Sequence, residues 1–127
     1  MPFINQSKQV ILIVDDNKNY ISRLVYLLDE SISTLCIKAA NCYNEAVRLI
    51  ANEKPGIVLL DINMPGKSGI EVLHYIKREG WDCKVIMVTN HTNENWRRLC
   101  LDMGTDHFLN KSRDLELLPS LINEIRA

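Results

Sequence analysis

Short runs of branched apolar residues alternate along the chain with segments in which apolar positions recur every three or four residues. The runs have the length of strands, and their continuous apolar character is typical of strands buried on both faces. They are Val10–Val14, Thr34–Ala39, Ile57–Leu60, Lys84–Val88 and Thr105–Leu109. The segments between them have helical periodicity. Five successive strand–helix units predict an α/β fold, a mostly parallel sheet with helices on both faces.

Turn and capping residues indicate where the helices begin and end. The markers are Asn17 before the first helix, Pro55-Gly56 after the second, Ser68-Gly69 and Gly80 around the third, and Asn93 and Gly104 around the fourth. Pro119 interrupts the last apolar pattern. Because proline suits the first turn of a helix, we expect the last helix to begin near Pro119 and residues 112–117 to form a separate turn.

The composition is that of an ordinary globular domain. The 127 residues suffice for one domain with a real core, and contents of 46% hydrophobic and 24% charged residues are unexceptional. The formal net charge of -1 argues against general electrostatic attraction to DNA or to an anionic membrane.

Apolar runs and cysteine spacing bear on the compartment. The first residues lack the apolar stretch of a signal peptide. The longest apolar runs, of about five residues, are far shorter than the roughly 20 needed to span a bilayer. Cys36, Cys42, Cys83 and Cys100 form no CxxC pair and have no zinc-finger spacing. We therefore expect reduced cysteines and a cytoplasmic protein.

Polar residues with distinctive chemistry follow four of the five strands. Asp15-Asp16 follow the first, Asp61 the third, Thr89 the fourth and Lys111 the fifth. Taken singly, each is more simply a turn residue, a helix cap or a surface charge. Because parallel strands end at one edge of the sheet, however, these side chains are predicted to converge where ligands bind in open α/β sheets. Three carboxylates gathered there would repel one another unless a hard cation lay among them.

Together these residues resemble the receiver domain of a two-component response regulator, of the CheY-like family. The matching elements are Asp15-Asp16, the segment from Asp61 to Gly69, Thr89, Lys111 after Phe108, and Met103-Gly104-Thr105-Asp106. The resemblance extends from about Val10 to Ile125, so residues 1–127 are expected to form a single receiver domain. It implies a flavodoxin-like, doubly wound (βα)5 fold with strand order 2-1-3-4-5.

The resemblance also implies a reaction. Asp61 would take a phosphoryl group from the phosphohistidine of a sensor histidine kinase or histidine phosphotransfer protein, giving an acyl phosphate. Mg²⁺, or alternatively Mn²⁺, would be held by Asp15, Asp16, Asp61 and the backbone carbonyl of Asn63. Lys111 and Thr89 would contact the phosphoryl oxygens. Such a domain is no enzyme in the usual sense, since it catalyses only its own phosphorylation and dephosphorylation.

A switch is implied as well. Thr89 would move toward the phosphoryl group and Phe108 would rotate inward, which would alter the face formed by the fourth helix, fifth strand and fifth helix. This face, which includes Trp96 and Arg97, would bind a downstream output domain or protein, or a second copy of the chain, with no direct contact to nucleic acid or membrane. The alternative interpretation of Phe108 is plain core packing.

Some positions depart from the family pattern. Ser112 follows Lys111 where the family usually has proline, which leaves open whether the Lys111–Ser112 peptide is cis or trans. Asn90 follows Thr89 where a smaller residue is more common, and could narrow access to the phosphoryl group. In the family, the positions that His91 and Asn63 occupy here line the path of the attacking water, so the resemblance implies that they would tune the lifetime of the phosphoryl group.

Three rival functions fit parts of the pattern. An aspartyl-phosphate phosphohydrolase would also use an Asp nucleophile and Mg²⁺, but usually carries a second Asp where this chain has Asn63. A receiver-like binding module that no longer takes phosphate remains open because of Asn90 and Ser112. A flavodoxin-like cofactor binder is disfavoured because Asp15-Asp16-Asn17 would repel phosphate. The chain is expected to be either a single-domain regulator or the receiver of a larger protein.

Overall fold

Strands and helices alternate in the order that the apolar pattern predicts. A computed structural model describes residues 9–32, 35–90 and 93–126, so the predictions for Thr34 and His91 lie outside the described residues. The elements are β1 (Gln9–Val14), α1 (Lys18–Ser31), β2 (Leu35–Ala40), α2 (Tyr43–Glu53), β3 (Ile57–Leu60), α3 (Gly69–Glu79), β4 (Lys84–Thr89), α4 (Glu94–Asp102), β5 (His107–Asn110), a 3-10 turn (Leu115–Leu117) and α5 (Leu118–Arg126). None of the helices in these ranges is both long and apolar enough to cross a membrane.

The five strands form one parallel sheet in the order β2-β1-β3-β4-β5, which confirms the predicted fold. The order reverses between β1 and β3, the place at which ligands bind in open α/β sheets. The pairing continues one residue beyond each of these strands. The Asp15 N–H donates to the carbonyl of Ala40, and the Asp61 N–H donates to the carbonyl of Val14, both at 3.0 Å.

Alternate residues of the strands face two separate core layers. One layer lies against α2, α3 and α4 and contains Val14, Leu60, Met87 and Phe108. The other lies against α1 and α5, and there Ile13 and Leu59 pack with Tyr20. Because a strand turns every second side chain to the same face, this alternation decides on which side of the sheet each polar residue beyond a strand emerges.

The helix boundaries follow the capping residues. The Asn17 side chain accepts a hydrogen bond from the N–H of Tyr20, and that of Asn93 accepts one from the N–H of Trp96, both at 3.0 Å. Gly80 ends α3 with a left-handed φ of 72°. The separate 3-10 turn before α5 confirms the prediction made from Pro119.

The last strand begins two residues later than the apolar run indicates. Thr105 donates its hydroxyl to the carbonyl of Val85 at 3.0 Å, and the Asp106 carboxylate accepts the N–H of Val85 at 2.8 Å. Near the start of β4, side-chain hydrogen bonds thus replace some of the backbone hydrogen bonds that would otherwise join β4 to β5. Such bonds compete with regular secondary structure and are not visible in an apolar pattern.

Gly69, at the start of α3, lies in close contact with the backbone of Asp61. A Cβ atom there would overlap the Asp61 carbonyl oxygen and lie 2.8 Å from its carbonyl carbon. We expect Gly69→Ala to lower the free energy of unfolding by roughly 2 kcal/mol, because this overpacking outweighs the helix preference of alanine. Urea unfolding measures the change. Ser68→Ala is the matched control, since the Ser68 side chain makes no capping hydrogen bond, and an unchanged Gly69→Ala variant would contradict the close approach.

Candidate functional site

Because alternate residues of a strand face the same side of the sheet, three charged side chains emerge on one side. Asp15 comes two residues after Ile13, and Asp61 comes two residues after Leu59, so both continue the rows that face α1. Lys111 continues the row of Leu109, which packs against the same layer. The chain therefore delivers two carboxylates and an ammonium to one place from three different strands.

The acidic residues form a cluster that could hold a metal ion. One carboxylate oxygen from each of Asp15, Asp16 and Asp61 lies within 4.8 Å of the others. Asp15 and Asp61 are only 1% and 6% exposed, whereas Asp16 is open to solvent. An all-oxygen ligand set with one solvent-facing side suits Mg²⁺, which keeps several of its own waters.

Lys111 is the positive charge of the site. Its Nζ lies 2.7 Å from an oxygen of Asp15 and 3.1 Å from an oxygen of Asp61, so one ammonium bridges the two buried carboxylates. The same Nζ lies 4.4 Å from the centre of the Tyr20 ring, close enough for a cation–π contact. The Lys111 backbone N–H donates to the carbonyl of Thr89 at 2.9 Å, which fixes the lysine to the end of β4.

Burial and charge oppose each other in the titration of this cluster. Burial raises the pKa of Asp15, and the nearby charge of Asp61 acts in the same direction, whereas hydrogen bonds from Lys111 and the Asn17 N–H lower it. For Lys111, burial alone would lower the pKa, but the hydrogen bond to Asp15 and the charges of Asp61 and Asp15 outweigh it and the pKa rises. The lysine is therefore held as a cation beside the carboxylates.

An open cavity of about 230 Å³ leads to Asp61. Its lining residues are Asp16, Asn17, Asp61, Asn63, Asn90 and Lys111. The N–H of Asn63 donates to a carboxylate oxygen of Asp61 at 3.3 Å, which keeps the loop after β3 close to that carboxylate. The Asp61 carboxylate is therefore reached from solvent through this cavity.

The predicted switch residues, Thr89 and Phe108, do not line this cavity. Thr89 ends β4 and is fully buried, and Phe108 packs in the core layer of Met87 with 8% of its surface exposed. The Arg97 guanidinium lies 6.0 Å from the centre of the Phe108 ring and donates to the Phe108 carbonyl at 3.5 Å. Phe108 thus lies at the contact between β5 and α4.

The departures from the family pattern are structurally linked. The described residues contain no cis peptide, so the Lys111–Ser112 bond is trans. The Ser112 hydroxyl donates to the Asn90 side-chain oxygen at 3.1 Å.

Tyr20 is a site residue that the sequence pattern did not single out. It lies in the first turn of α1, and burial raises the pKa of its phenol. Its hydroxyl is buried and has no hydrogen-bond partner within the part of the chain that the structure describes. Its position in the first turn of α1, three residues after the N-cap Asn17, is the signal that could have placed it beside the cluster.

Known proteins are similar to this chain over most of its length. The family profile of the response regulator receiver domain matches residues 11–123. The transcriptional activator protein ExaE of Pseudomonas putida is 31% identical over 102 residues, which are 80% of this chain and 48% of that protein. The chain thus spans about half the length of this curated relative.

Solved structures of receiver domains superpose closely on the chain. A DNA-binding response regulator of the LuxR family from Staphylococcus aureus has a TM-score of 0.83 and 28% identity, covering 94% of this chain and 99% of that one. The signal receiver domain of a DNA-binding response regulator from Colwellia psychrerythraea 34H has a TM-score of 0.87 and 26% identity, covering 94% and 98%.

Removal of the Lys111 ammonium would leave two buried carboxylates without their shared counter-charge. We expect Lys111→Met, which keeps an unbranched apolar stem and removes the ammonium, to lower the free energy of unfolding at neutral pH by roughly 3 kcal/mol. Lys84→Met is the matched control: the exposed Lys84 ammonium lies 3.9 Å from Asp106, and its loss should cost less than about 1 kcal/mol. Equal stability losses in the two variants, measured by urea unfolding, would argue against the bridge.

Proposed function

Since the chain belongs to the family of response regulator receiver domains, we propose that it is a phosphorylation-dependent signalling switch whose phosphoacceptor is Asp61. The observation that carries the proposal is the position of the Asp61 carboxylate, 3.1 Å from the Lys111 ammonium, within the acidic cluster and on the wall of an open cavity. Residues from about 10 to 125 then act as one receiver domain.

The proposed reaction asks mainly for position and charge. A carboxylate oxygen of Asp61 attacks the phosphorus of a phosphohistidine, a P–O bond forms, and the P–N bond to the imidazole breaks. Lys111 already touches the carboxylate, so its ammonium is in reach of the phosphoryl oxygens that arrive there. The Thr89 hydroxyl, at the end of the neighbouring strand, is proposed as a further donor to the phosphoryl group.

Mg²⁺ is the proposed cofactor, with Mn²⁺ as an alternative. The donor set fits, because three carboxylates contribute oxygens within 4.8 Å of one another and one side of the cluster is open. Asp15, Asp16 and Asp61 would hold the ion together with the Asn63 carbonyl. The ion would neutralise carboxylate and phosphoryl charge during transfer.

The proposed output is a change in the face formed by α4, β5 and α5. Phosphorylation adds roughly two negative charges and three acceptor oxygens beside Thr89 and Lys111. The backbone bond between these two residues links the site to β5, where Phe108 contacts Arg97 of α4. Because the relatives include a transcriptional activator and DNA-binding response regulators, we propose that this face engages an output domain or a second copy.

A phosphohydrolase acting on small phosphomonoesters is less well supported. The residue two positions after Asp61 is Asn63, which cannot exchange a proton as a general acid or base.

Incubation with acetyl phosphate and Mg²⁺, followed by intact mass, tests the proposed function. We expect the gain of one phosphoryl group in the natural chain and none in Asp61→Asn, because the amide is no longer a nucleophile. Asp29→Asn, at an exposed position of α1, is the matched control and should be phosphorylated normally.

Three results would overturn the proposal. Phosphorylation that persists in Asp61→Asn would place the acceptor elsewhere. Absence of phosphorylation with acetyl phosphate and with histidine kinases would favour a binding module that does not take phosphate, whereas sustained turnover of p-nitrophenyl phosphate would favour the hydrolase.

Mg²⁺ binding is expected to be visible in stability. A concentration of one hundred times Kd should stabilise the chain by about 2.7 kcal/mol relative to an EDTA-treated sample. Asp16→Asn should lose most of this gain, since it removes the solvent-facing carboxylate of the cluster without disturbing the core. Asp102→Asn, on the exposed surface of α4, should keep it. Thermal unfolding measures both, and an equal Mg²⁺ response in the two variants would exclude the cluster as the site.

A further inference from the structure

We propose that Ser112 is a positioning residue that holds the Asn90 side chain across the rim of the Asp61 cavity and so limits the access of water to the phosphorylated aspartate. The contact that carries this inference is the hydrogen bond from the Ser112 hydroxyl to the Asn90 side-chain oxygen, 3.1 Å long, which we name the Ser112–Asn90 latch. The inference rests on the proposed function, because it concerns the lifetime of the acyl phosphate at Asp61.

Ser112 is itself firmly anchored. The Asn110 side-chain oxygen accepts the N–H of Ser112 at 2.9 Å and the N–H of Arg113 at 2.7 Å. The Asp114 carboxylate in turn accepts the N–H of Asn110 at 2.8 Å. These hydrogen bonds define the turn that follows β5, and in this turn the Ser112 hydroxyl lies within hydrogen-bond distance of Asn90.

A proline at position 112 would remove both interactions. Proline has no N–H to donate to Asn110 and no hydroxyl to donate to Asn90. The serine that departs from the family pattern therefore supplies two hydrogen bonds at once, one within its own turn and one to the loop after β4. The Asn90 and Ser112 positions are coupled, although 22 residues separate them in the chain.

Asn90 occupies the boundary between two cavities. It lines the cavity of about 230 Å³ that contains Asp61 and also a neighbouring cavity of about 290 Å³ lined by Tyr20 and Arg23. Lys111 lines both as well. A side chain in this position stands on the route from solvent to the aspartate, and a hydrogen bond that fixes it narrows that route.

The step that the latch slows is the hydrolysis of the acyl phosphate. Water attacks phosphorus, the P–O bond to Asp61 breaks, and inorganic phosphate leaves as the Asp61 carboxylate is restored. Because the latch is a single exposed hydrogen bond, its loss should change this rate only modestly and should leave the stability of the domain nearly unchanged.

A double-mutant cycle tests the latch. The natural chain, Ser112→Ala, Asn90→Ala and the double variant are phosphorylated with acetyl phosphate and Mg²⁺, the donor is removed, and loss of the phosphoryl group is followed by intact mass. We expect each single variant to lose phosphate about two- to fivefold faster, and the double variant to be no faster than the faster single one, because both changes remove the same restraint.

Two further variants separate positioning from general disturbance. Ser112→Thr keeps the hydroxyl and should retain the natural lifetime, and Ser120→Ala, on the exposed surface of α5, should have no effect. An unchanged or slower hydrolysis in Ser112→Ala, or single effects that multiply in the double variant, would overturn the latch while leaving the proposed function intact. A natural chain that takes no phosphoryl group would overturn both.

Discussion

The bridge from one lysine ammonium to two buried carboxylates is the interaction on which the site depends. Asp15 and Asp61 end neighbouring strands and are almost completely buried, so their mutual repulsion is poorly screened by water. Lys111, which follows the edge strand β5, offsets this repulsion: its Nζ lies 2.7 Å from an oxygen of Asp15 and 3.1 Å from an oxygen of Asp61. This requires β4 and β5 to follow β3 in the same parallel sheet. The charge balance of the site therefore depends on the strand order.

Apolar periodicity predicted the parallel α/β sheet and the convergence of polar residues at one of its edges, whereas the strand order came from the resemblance to receiver domains. Parallel strands end at one edge, and residues two positions beyond an inward-facing strand residue stay on its side of the sheet. Asp15, Asp61 and Lys111 satisfy that rule, and their side chains do meet. Apolar spacing, together with caps such as Asn17, was also enough to bound most helices.

What the sequence did not predict depends on individual side-chain contacts. The start of β5 is displaced by the hydrogen bonds of Thr105 and Asp106 to Val85, and these bonds have no periodic signature. Tyr20 lies against Lys111 because of the direction in which α1 presents it. The hydrogen bond between Ser112 and Asn90 joins two residues that each depart from the family pattern, and nothing in the sequence indicated that they are in contact. Each of these three contacts becomes visible only in the three-dimensional structure.

The same connections bear on how a charge at Asp61 would act at a distance. Lys111 touches the carboxylate through its ammonium and the end of β4 through its backbone N–H, so one residue joins the chemistry to the backbone of Thr89. Phe108 lies three residues earlier on β5 and its carbonyl accepts from Arg97 of α4. A shift of Lys111 toward new phosphoryl oxygens would pull on a strand whose opposite side contacts α4. The packed core permits discrete rearrangements better than gradual ones, so β5 and its contact with α4 are where two alternative arrangements would have to differ.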